Sequence, residues 1–230
     1  HLEPDRRAPI TSTGHADFVQ TERGDWWAVF LGCRPYPPYE KGYYNTGRET
    51  FLAPVKWKDG WPVITAGDEA VQYYYPYPLP RSTPSGVPYS GNFTVRDEFA
   101  AQSLDPNWVF LRTPQEKWYD LEARKGALSL RLRPETCSGN RNPSFLGRRL
   151  QHLRGSASTA LHFTPGAENE KAGILIFQNE THFYYLCKSM RQGKPVVELF
   201  VSDGRNKTGM TALATRETGT HDADRPLRLK

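Results

Sequence analysis

Cysteine, methionine and long apolar runs are scarce in this chain of 230 residues. Its three cysteines, Cys33, Cys137 and Cys187, show no metal-type spacing, so they predict no cysteine-based metal site and at most one disulfide. No apolar run approaches the length of a membrane-spanning helix, and we therefore expect no membrane partner. No stretch shows a helical period either, which argues against a helical fold.

The chain also lacks the short motifs of several enzyme classes. It contains no Gly-Xaa-Ser-Xaa-Gly elbow, no glycine-rich phosphate loop and no His-Glu-Xaa-Xaa-His helix. The net charge is a modest +5, with lysine and arginine scattered along the sequence. The densest cluster, Arg141 to Arg154, lacks the interleaved aromatic residues of a single-strand binder. These features argue against a nucleic-acid partner.

Aromatic residues, glycine and proline are abundant. Aromatics make up 13% of the chain, and there are 19 glycines and 19 prolines, which predicts many turns and short strands. Residues 1–13 are expected to form a loop. Four candidate strands follow: Asp17–Gln20, Trp26–Leu31, Thr50–Trp57 and Pro62–Ile64. Four strands in about fifty residues match one propeller blade. Because a lone blade cannot bury both faces, we expect it to pack on blades outside this sequence.

A corner before the third candidate strand contains the most informative residues. Gly47 can adopt a backbone angle that other residues resist, which lets Arg48 project at a sharp angle. A guanidinium held in this way suits the hydrogen bonds of sugar hydroxyls or of a carboxylate. Alternatively, Arg48 pairs with Glu49 or another acid and closes the end of a strand. The residues alone leave both interpretations open.

The segment Lys58-Asp59-Gly60 separates two apolar runs and therefore predicts a β-hairpin. Trp57 and Trp61 flank this turn. Tryptophan could stack on a sugar, but blades also use it as core, and we expect both residues to be core.

The composition changes between Gln72 and Ser90, where proline and tyrosine dominate. Proline at this density predicts an extended, semi-rigid linker, with a ligand for a proline-binding module as the alternative. After Phe93 the pattern is again typical of strands. The predicted strands are Leu128–Arg133 with its leucines buried, Ser156–Phe163, Ala172–Phe177 as a central strand, Phe183–Cys187 and Val196–Val201, with a turn near Gln192–Lys194. Short strands at regular spacing predict a β-sandwich.

These boundaries divide the chain into a blade over residues 1–70, a linker over 71–92 and a sandwich over 93–230. Sequons at Asn92, Asn179 and Asn206 favour an extracellular, N-glycosylated protein. No signal peptide is visible and the chain opens with His1, which suits a processed or truncated product. Because the alternating run Leu227–Lys230 ends the chain, we expect the sandwich to be truncated there.

Two groups of motifs occur in a specific order. The first comprises Gly14–Asp17, Trp26–Leu31 and NTGRETFL at 45–52, and the second Asp97–Phe99, Trp108–Arg112, Asn142–His152 and Ala172–Asn179. In this order they resemble glycoside hydrolase family 43, and most of all its two-domain β-xylosidases and α-L-arabinofuranosidases. The resemblance covers nearly the whole chain from Gly14 onward. It implies an all-β fold, in which the last blade of a five-bladed β-propeller precedes a concanavalin-like β-sandwich.

The resemblance also implies the chemistry. The family hydrolyses by inversion, with an Asp base, a Glu acid and a second Asp that tunes the acid. These residues belong to earlier blades, and the Glu-Gly-Pro segment of the acid is absent here, so we expect no catalytic carboxylate in this chain. Arg48 matches the arginine that reaches the sugar, while Asp17 and Glu49 are the fallback acid and base.

His15 matches the family histidine beside the active site. In some members this residue helps to hold a calcium ion, commonly through water, so calcium is an optional ligand and no cofactor is required. Without the resemblance, a buried histidine satisfied by backbone groups is the alternative.

The resemblance implies an enzyme that removes terminal xylose or arabinose from xylan-derived oligosaccharides or arabinoxylan. This chain would supply Arg48 and the accessory sandwich. A second hypothesis is a carbohydrate-binding β-module without catalysis. A third is a structural or protein-interaction domain, which rests on the linker alone.

Overall fold

The computed structural model describes residues 8–65, 69–76, 78–80, 91–205, 209–219 and 225–230. Within these ranges it has fourteen β-strands and one 3₁₀-helix, Tyr39–Lys41, which confirms the all-β prediction. No helix in the described part is long and apolar enough to cross a membrane. The chain divides into two compact units, residues 1–95 with 150–155 and residues 96–149 with 156–230. The domain limits expected at 70 and 92 stay predictions, since residues 81–90 lie outside the described ranges.

The first unit is an antiparallel sheet of four strands in chain order. Its strands are β1 (Thr11–Gln20), β2 (Trp26–Cys33), β3 (Arg48–Lys58) and β4 (Trp61–Ile64). Continuous apolar runs fill most of β2 and the middle of β3. One face of the pair holds the buried cluster Ala28, Phe30, Ala53 and Val55. Ala28 lies opposite Ala53 in the register, so the centre of the cluster is formed by two small side chains.

Strand β1 starts earlier than predicted and is irregular. It begins at Thr11, inside the segment expected to be loop, because Thr11 pairs with Cys33 of β2. Register shifts follow between Thr11 and Gly14 and between Gly14 and Asp17, and His15 has a φ of 59°. Such bulges interrupt the two-residue alternation by which a strand is recognised in a sequence.

The two tryptophans beside the hairpin turn do not belong to the buried core. Trp57 is 47% exposed and Trp61 is 75% exposed. Trp57 contacts the edge of Trp26, with 5.4 Å between the ring centroids, while Trp61 lies opposite Lys58 at the start of β4. The core prediction is therefore wrong for both. Both residues lie at the end of the sheet, where no further strand of the described chain covers them.

The second unit contains another antiparallel sheet and three short strand pairs. The sheet consists, in order, of β10 (Ala172–Asn179), β11 (His182–Arg191), β12 (Lys194–Asp203) and β13 (Thr211–Glu217). The pairs are β5 (Trp108–Phe110) with β8 (Leu146–Arg148), β6 (Tyr119–Asp120) with β7 (Ser129–Leu130), and β9 (Thr159–Leu161) with β14 (Leu227–Leu229).

The β11–β12 connection confirms the predicted turn. Arg191 pairs with Lys194, which leaves Gln192 and Gly193 as a two-residue loop with φ angles of 50° and 74°. Positive φ at both positions is typical of the tight turn that matches strand twist. On the other side of β11, a Cβ atom on Gly173 would lie 2.1 Å from the carbonyl oxygen of Leu186, so glycine is required for this close approach.

Two strand predictions differ from the structure. Ala172–Phe177 is expected to be central, yet β10 lies at the edge of the described sheet and its Ile176 is 73% exposed. The predicted strand Leu128–Arg133 is reduced to β7, and its residues Leu130 and Leu132 are 45% and 47% exposed. Arg133 is instead the better buried residue, because it forms an ion pair of 3.0 Å with Glu116. The alternation of leucine with serine and arginine shows that this segment has an apolar and a polar side. It does not show which of the two sides is buried in the fold.

Trp118 is the most deeply placed large side chain of the second unit, with 2% exposure. Its indole Nε1 donates a hydrogen bond of 3.1 Å to Oδ1 of Asn142. The Asn142 amide nitrogen donates in turn to the carbonyl oxygens of Leu111 and Arg112 at 3.0 and 3.2 Å. One buried amide therefore joins the tryptophan to the end of β5.

Candidate functional site

Arg48 is the first residue of β3, where it lies opposite Cys33 of β2. Gly47 before it has a φ of 69°, so the predicted glycine corner is present. The Arg48 side chain is exposed, and its guanidinium makes no hydrogen bond or ion pair within the described residues. The cation is therefore available to a ligand at this end of the sheet.

Glu49, the suggested partner of Arg48, binds a different arginine. Nε and Nη2 of Arg34 donate to the two carboxylate oxygens of Glu49, each at 2.7 Å, and Thr46 Oγ1 donates at 2.8 Å. This is a bidentate, partly buried pair, which is stronger than an exposed ion pair. Burial raises the pKa of Glu49, but the hydrogen bonds from Arg34 and Thr46 outweigh it, so the pKa lies below its ordinary value.

The Glu49 carboxylate is expected to make the first unit sensitive to acid. A carboxyl group with a lowered pKa in the folded state stabilises the fold above its unfolded pKa and loses this effect as the pH falls through the folded value. Glu49→Gln should therefore destabilise the unit at pH 6 and by much less at pH 3, as measured by urea unfolding. Glu22→Gln, at an exposed turn, is the matched control. A cost of Glu49→Gln that is equal at both pH values would contradict this role.

Residues 150–155 belong to the first unit and attach beside this ion pair. Nη2 of Arg34 also donates to the carbonyl oxygen of Gln151 at 2.8 Å. Asn45 donates to the carbonyl oxygens of His152 and Leu153 at 3.4 and 3.3 Å. The backbone carbonyl groups of this segment thus bind Arg34 and Asn45, which lie at the two ends of the loop between β2 and β3.

The register places His15 and Arg48 on strands two apart, with β2 between them. Strands lie about 4.8 Å apart and rise about 3.3 Å per residue, so the two Cα atoms are separated by roughly 14 Å. The His15 side chain is exposed, which does not support the alternative of a buried, backbone-satisfied histidine. A sugar or a second side chain would have to bridge the space between the imidazole and the guanidinium.

The fallback pair, Asp17 and Glu49, does not converge. Asp17 lies opposite Val29 of β2, and Glu49 lies opposite Gly32. Because these partners are three residues apart on one strand, the two carboxylates project from opposite faces of the sheet. Two carboxyl groups of a glycosidase must flank one bond, so this geometry gives the pair no support.

The cysteines are also unsuited to chemistry. All three are free thiols, and Cys33 and Cys187 are buried. Burial raises the pKa of Cys137 to about 11 and that of Cys187 to about 12. Both thiols are therefore protonated at neutral pH and make poor nucleophiles.

The described residues contain no group of three or more His, Cys, Asp or Glu side chains that could hold a metal ion. His15 is accordingly at most one contributor to a calcium site, and the described residues do not by themselves fit that ion.

Comparisons with known proteins match both units. The model of the beta xylosidase C-terminal concanavalin A-like domain matches residues 96–229, and that of glycosyl hydrolases family 43 matches residues 2–62. The chain belongs to glycoside hydrolase family 43. The family 43 match includes His15, Asp17 and Arg48, and the roles assigned to these residues stay predictions.

Several family 43 proteins are similar to this chain. A non-reducing end alpha-L-arabinofuranosidase of Bacteroides ovatus is 38% identical over 190 residues, which are 82% of this chain and 34% of that protein. A xylosidase/arabinosidase of Butyrivibrio fibrisolvens is 39% identical over 181 residues, 77% of this chain and 33% of that protein. The chain therefore spans about a third of the length of these curated relatives.

Solved structures give the same result for the fold. GH43B of the Bacteroides ovatus xyloglucan PUL has a TM-score of 0.80 at 34% identity, over 94% of this chain and 40% of that one. The GH43 protein BlXynB of Bacillus licheniformis has a TM-score of 0.82 at 28% identity, over 99% of this chain and 41% of that one. These matches confirm the family resemblance and the architecture of this family 43 chain.

Sequence reasoning missed Arg34 as the partner of Glu49. The two residues are fifteen positions apart, and an ordinary surface arginine gives no periodic signal. The register of β2 and β3 provides the signal, because Arg34 directly follows the residue that pairs with Arg48.

Proposed function

We propose that this chain is part of a secreted glycosidase that removes terminal xylose or arabinose from xylan-derived oligosaccharides by inversion. The observation that supports this proposal is the exposed Arg48 guanidinium, which has no acidic partner among the residues that the structure describes, since Glu49 binds Arg34. The printed names of the relatives include an arabinofuranosidase and a xylosidase/arabinosidase, so we propose both pentoses as substrates.

Arg48 would bind the pentose with its guanidinium fork. It presents several donors in a fixed plane, which suits two neighbouring hydroxyl oxygens. Its permanent charge would also keep carboxylates of the active site ionised, as the base of an inverting enzyme requires. The proton-transferring acids would come from polypeptide that precedes this sequence. His15 would orient one such carboxylate by donating a hydrogen bond, without exchanging a proton with substrate.

N-glycosylation of the secreted protein is a secondary proposal, which rests on the sequons. Secretion predicts glycans at Asn92, whose side chain is exposed, and these would appear as a mass loss on enzymatic deglycosylation of the native protein. At Asn179, Oδ1 accepts hydrogen bonds from the backbone nitrogen and hydroxyl of Thr181, while a glycan would attach to the amide nitrogen Nδ2. Asn206 lies outside the described residues.

The test is to complete the enzyme. This chain is joined to the part of the Bacteroides ovatus arabinofuranosidase that precedes its matched region, and release of nitrophenol from the pentosides is measured. We expect this fusion protein to be active and the Bacteroides portion alone to be inactive. A folded fusion protein with no pentose release would reject the enzyme proposal.

A non-catalytic carbohydrate-binding module is the second candidate. It is favoured by Tyr184 and Ile176, which pair across β10 and β11 and are 50% and 73% exposed on one face of the sheet. A tyrosine ring on an open sheet face can stack on a sugar. Retention of this chain on xylan, abolished by Tyr184→Ala and combined with an inactive fusion protein, would favour the module over the enzyme.

A further inference from the structure

The loop between β2 and β3 is rich in exposed tyrosine. This tyrosine loop, residues 34–46, contains Tyr36, Tyr39, Tyr43 and Tyr44. Tyr39, Tyr43 and Tyr44 are 38%, 43% and 44% exposed, so each ring is half covered and half open. Three half-open aromatic rings within six residues are more than turn formation requires.

The tyrosine loop is internally ordered. Tyr36 and Tyr43 form an isolated antiparallel bridge, and the backbone nitrogen of Tyr36 donates to the carbonyl oxygen of Tyr43 at 3.0 Å. Their rings stack with centroids 5.7 Å apart. A 3₁₀ turn at Tyr39–Lys41 ends at Gly42, whose φ of 61° returns the chain towards Tyr43. The stacked rings are therefore ordered before a ligand binds, so binding costs less conformational entropy.

Both ends of the tyrosine loop are fixed beside Arg48. Arg34 is held by the carboxylate of Glu49, and Asn45 donates to the carbonyl oxygens of residues 152 and 153. Tyr44 precedes Arg48 by four residues, so their Cα atoms are at most about 15 Å apart. The backbone of Tyr44 therefore lies within the length of a few sugar units of the backbone of Arg48.

The chemistry of these side chains suits a neutral oligosaccharide. A tyrosine ring covers the apolar face of a sugar, and its hydroxyl both donates and accepts hydrogen bonds. Aromatic rings with two χ angles provide contact area at low entropic cost. A sugar chain that leaves the pentose at Arg48 would pass over the loop without requiring a charged partner.

We propose that Tyr43 and Tyr44, supported by the Tyr36 stack and flanked by Tyr39, bind the sugar units that follow the terminal pentose of a xylan-type chain. This inference rests on the proposed function for the pentose at Arg48. The binding surface itself requires no catalytic group, so it is measurable in this chain alone.

The test is affinity electrophoresis of the 230-residue chain in arabinoxylan gels, with xylohexaose as the soluble competitor. We expect retardation of the unsubstituted chain. Tyr43→Ala and Tyr44→Ala should each weaken binding by about 2–10-fold, the range of one aromatic contact. Tyr43→Phe and Tyr44→Phe should retain most of the binding, because the ring remains. Thermal melting checks that each variant is folded.

Trp61→Ala is the matched control, since Trp61 is 75% exposed but lies at the opposite end of the sheet, about 33 Å along β3 from Arg48. Unchanged retardation of a folded Tyr43→Ala/Tyr44→Ala double variant would overturn the proposal. An equal loss of retardation in Trp61→Ala would also overturn it. So would a loop that binds a protein ligand and does not bind xylan.

The outcome is separable from that of the proposed function. In the fusion protein, the double variant should raise KM for xylotetraose by a larger factor than KM for a methyl pentoside, which has no further sugar units. Loss of xylan binding in an inactive fusion protein would support the tyrosine surface and reject the enzyme. Full activity of the fusion protein together with unaltered xylan binding in the double variant would support the enzyme and reject the tyrosine surface.

Discussion

Arg48→Ala is expected to lower kcat/KM for pentose release by the fusion protein by about 10²–10³-fold, the cost of removing one preorganised donor from an active site. The guanidinium is exposed, lies at a fixed glycine corner and has no acidic partner among the described residues. Its hydrogen-bond donors are therefore free to bind a ligand. The measurement is initial-rate kinetics on nitrophenyl xyloside and nitrophenyl arabinofuranoside.

Two further variants separate the functions of Arg48. Arg48→Lys keeps the charge but loses the planar fork, so it should recover only part of the rate. Arg23→Ala removes an equally exposed arginine at the turn between β1 and β2, and should leave the rate unchanged. Wild-type kinetics in Arg48→Ala would show that this arginine does not contact the sugar, whatever the activity of the fusion protein.

Trp118→Ala is expected to destabilise the second unit by about 3–5 kcal/mol, the usual cost of truncating a buried aromatic side chain. The residue is 2% exposed, and its ring contacts Phe110 edge to face with 5.5 Å between the centroids. The substitution also leaves Oδ1 of the buried Asn142 without its indole donor. Urea unfolding, followed by the circular dichroism of the sheet, measures the change.

Trp118→Phe divides this effect into two parts. It keeps a six-membered aromatic ring and removes the pyrrole part of the indole with its nitrogen, so the expected cost falls to about 1–3 kcal/mol. Trp61→Ala, which removes the same ring from a 75% exposed position, should change stability by less than about 0.5 kcal/mol. Equal unfolding midpoints for Trp118→Ala and Trp61→Ala would show that the indole is not part of the core.

Turns were the most predictable part of the fold. Gly47 has the positive φ angle expected of it, and the turn predicted near Gln192–Lys194 is present, because glycine in a turn reflects a local backbone requirement. Strands β2 and β3 were also predictable, since each contains an apolar run of strand length next to turn residues. The start of β1 was not, because its register shifts around Gly14 and His15 interrupt the regular pattern of a strand.

Exposure was much less predictable than secondary structure. Trp57, Trp61, Leu130 and Ile176 all suit a core by their chemistry, and all are largely open to solvent. Whether an apolar side chain is covered depends on elements far away in the sequence, and a local pattern contains no information about them. The same limit applies to Leu132, which alternates correctly with Arg133 but lies on the open side.

The sequence by itself determined the all-β class, the principal turns and, through its motifs, membership of family 43, because each depends on local backbone preference or on residues adjacent in the chain. Only the tertiary structure decided that Glu49 binds Arg34, so that Arg48 has no acidic partner within the described part of the chain, and that Asp17 and Glu49 project from opposite faces. Strand register sets these relations, and register depends on pairing between segments that a linear pattern does not connect.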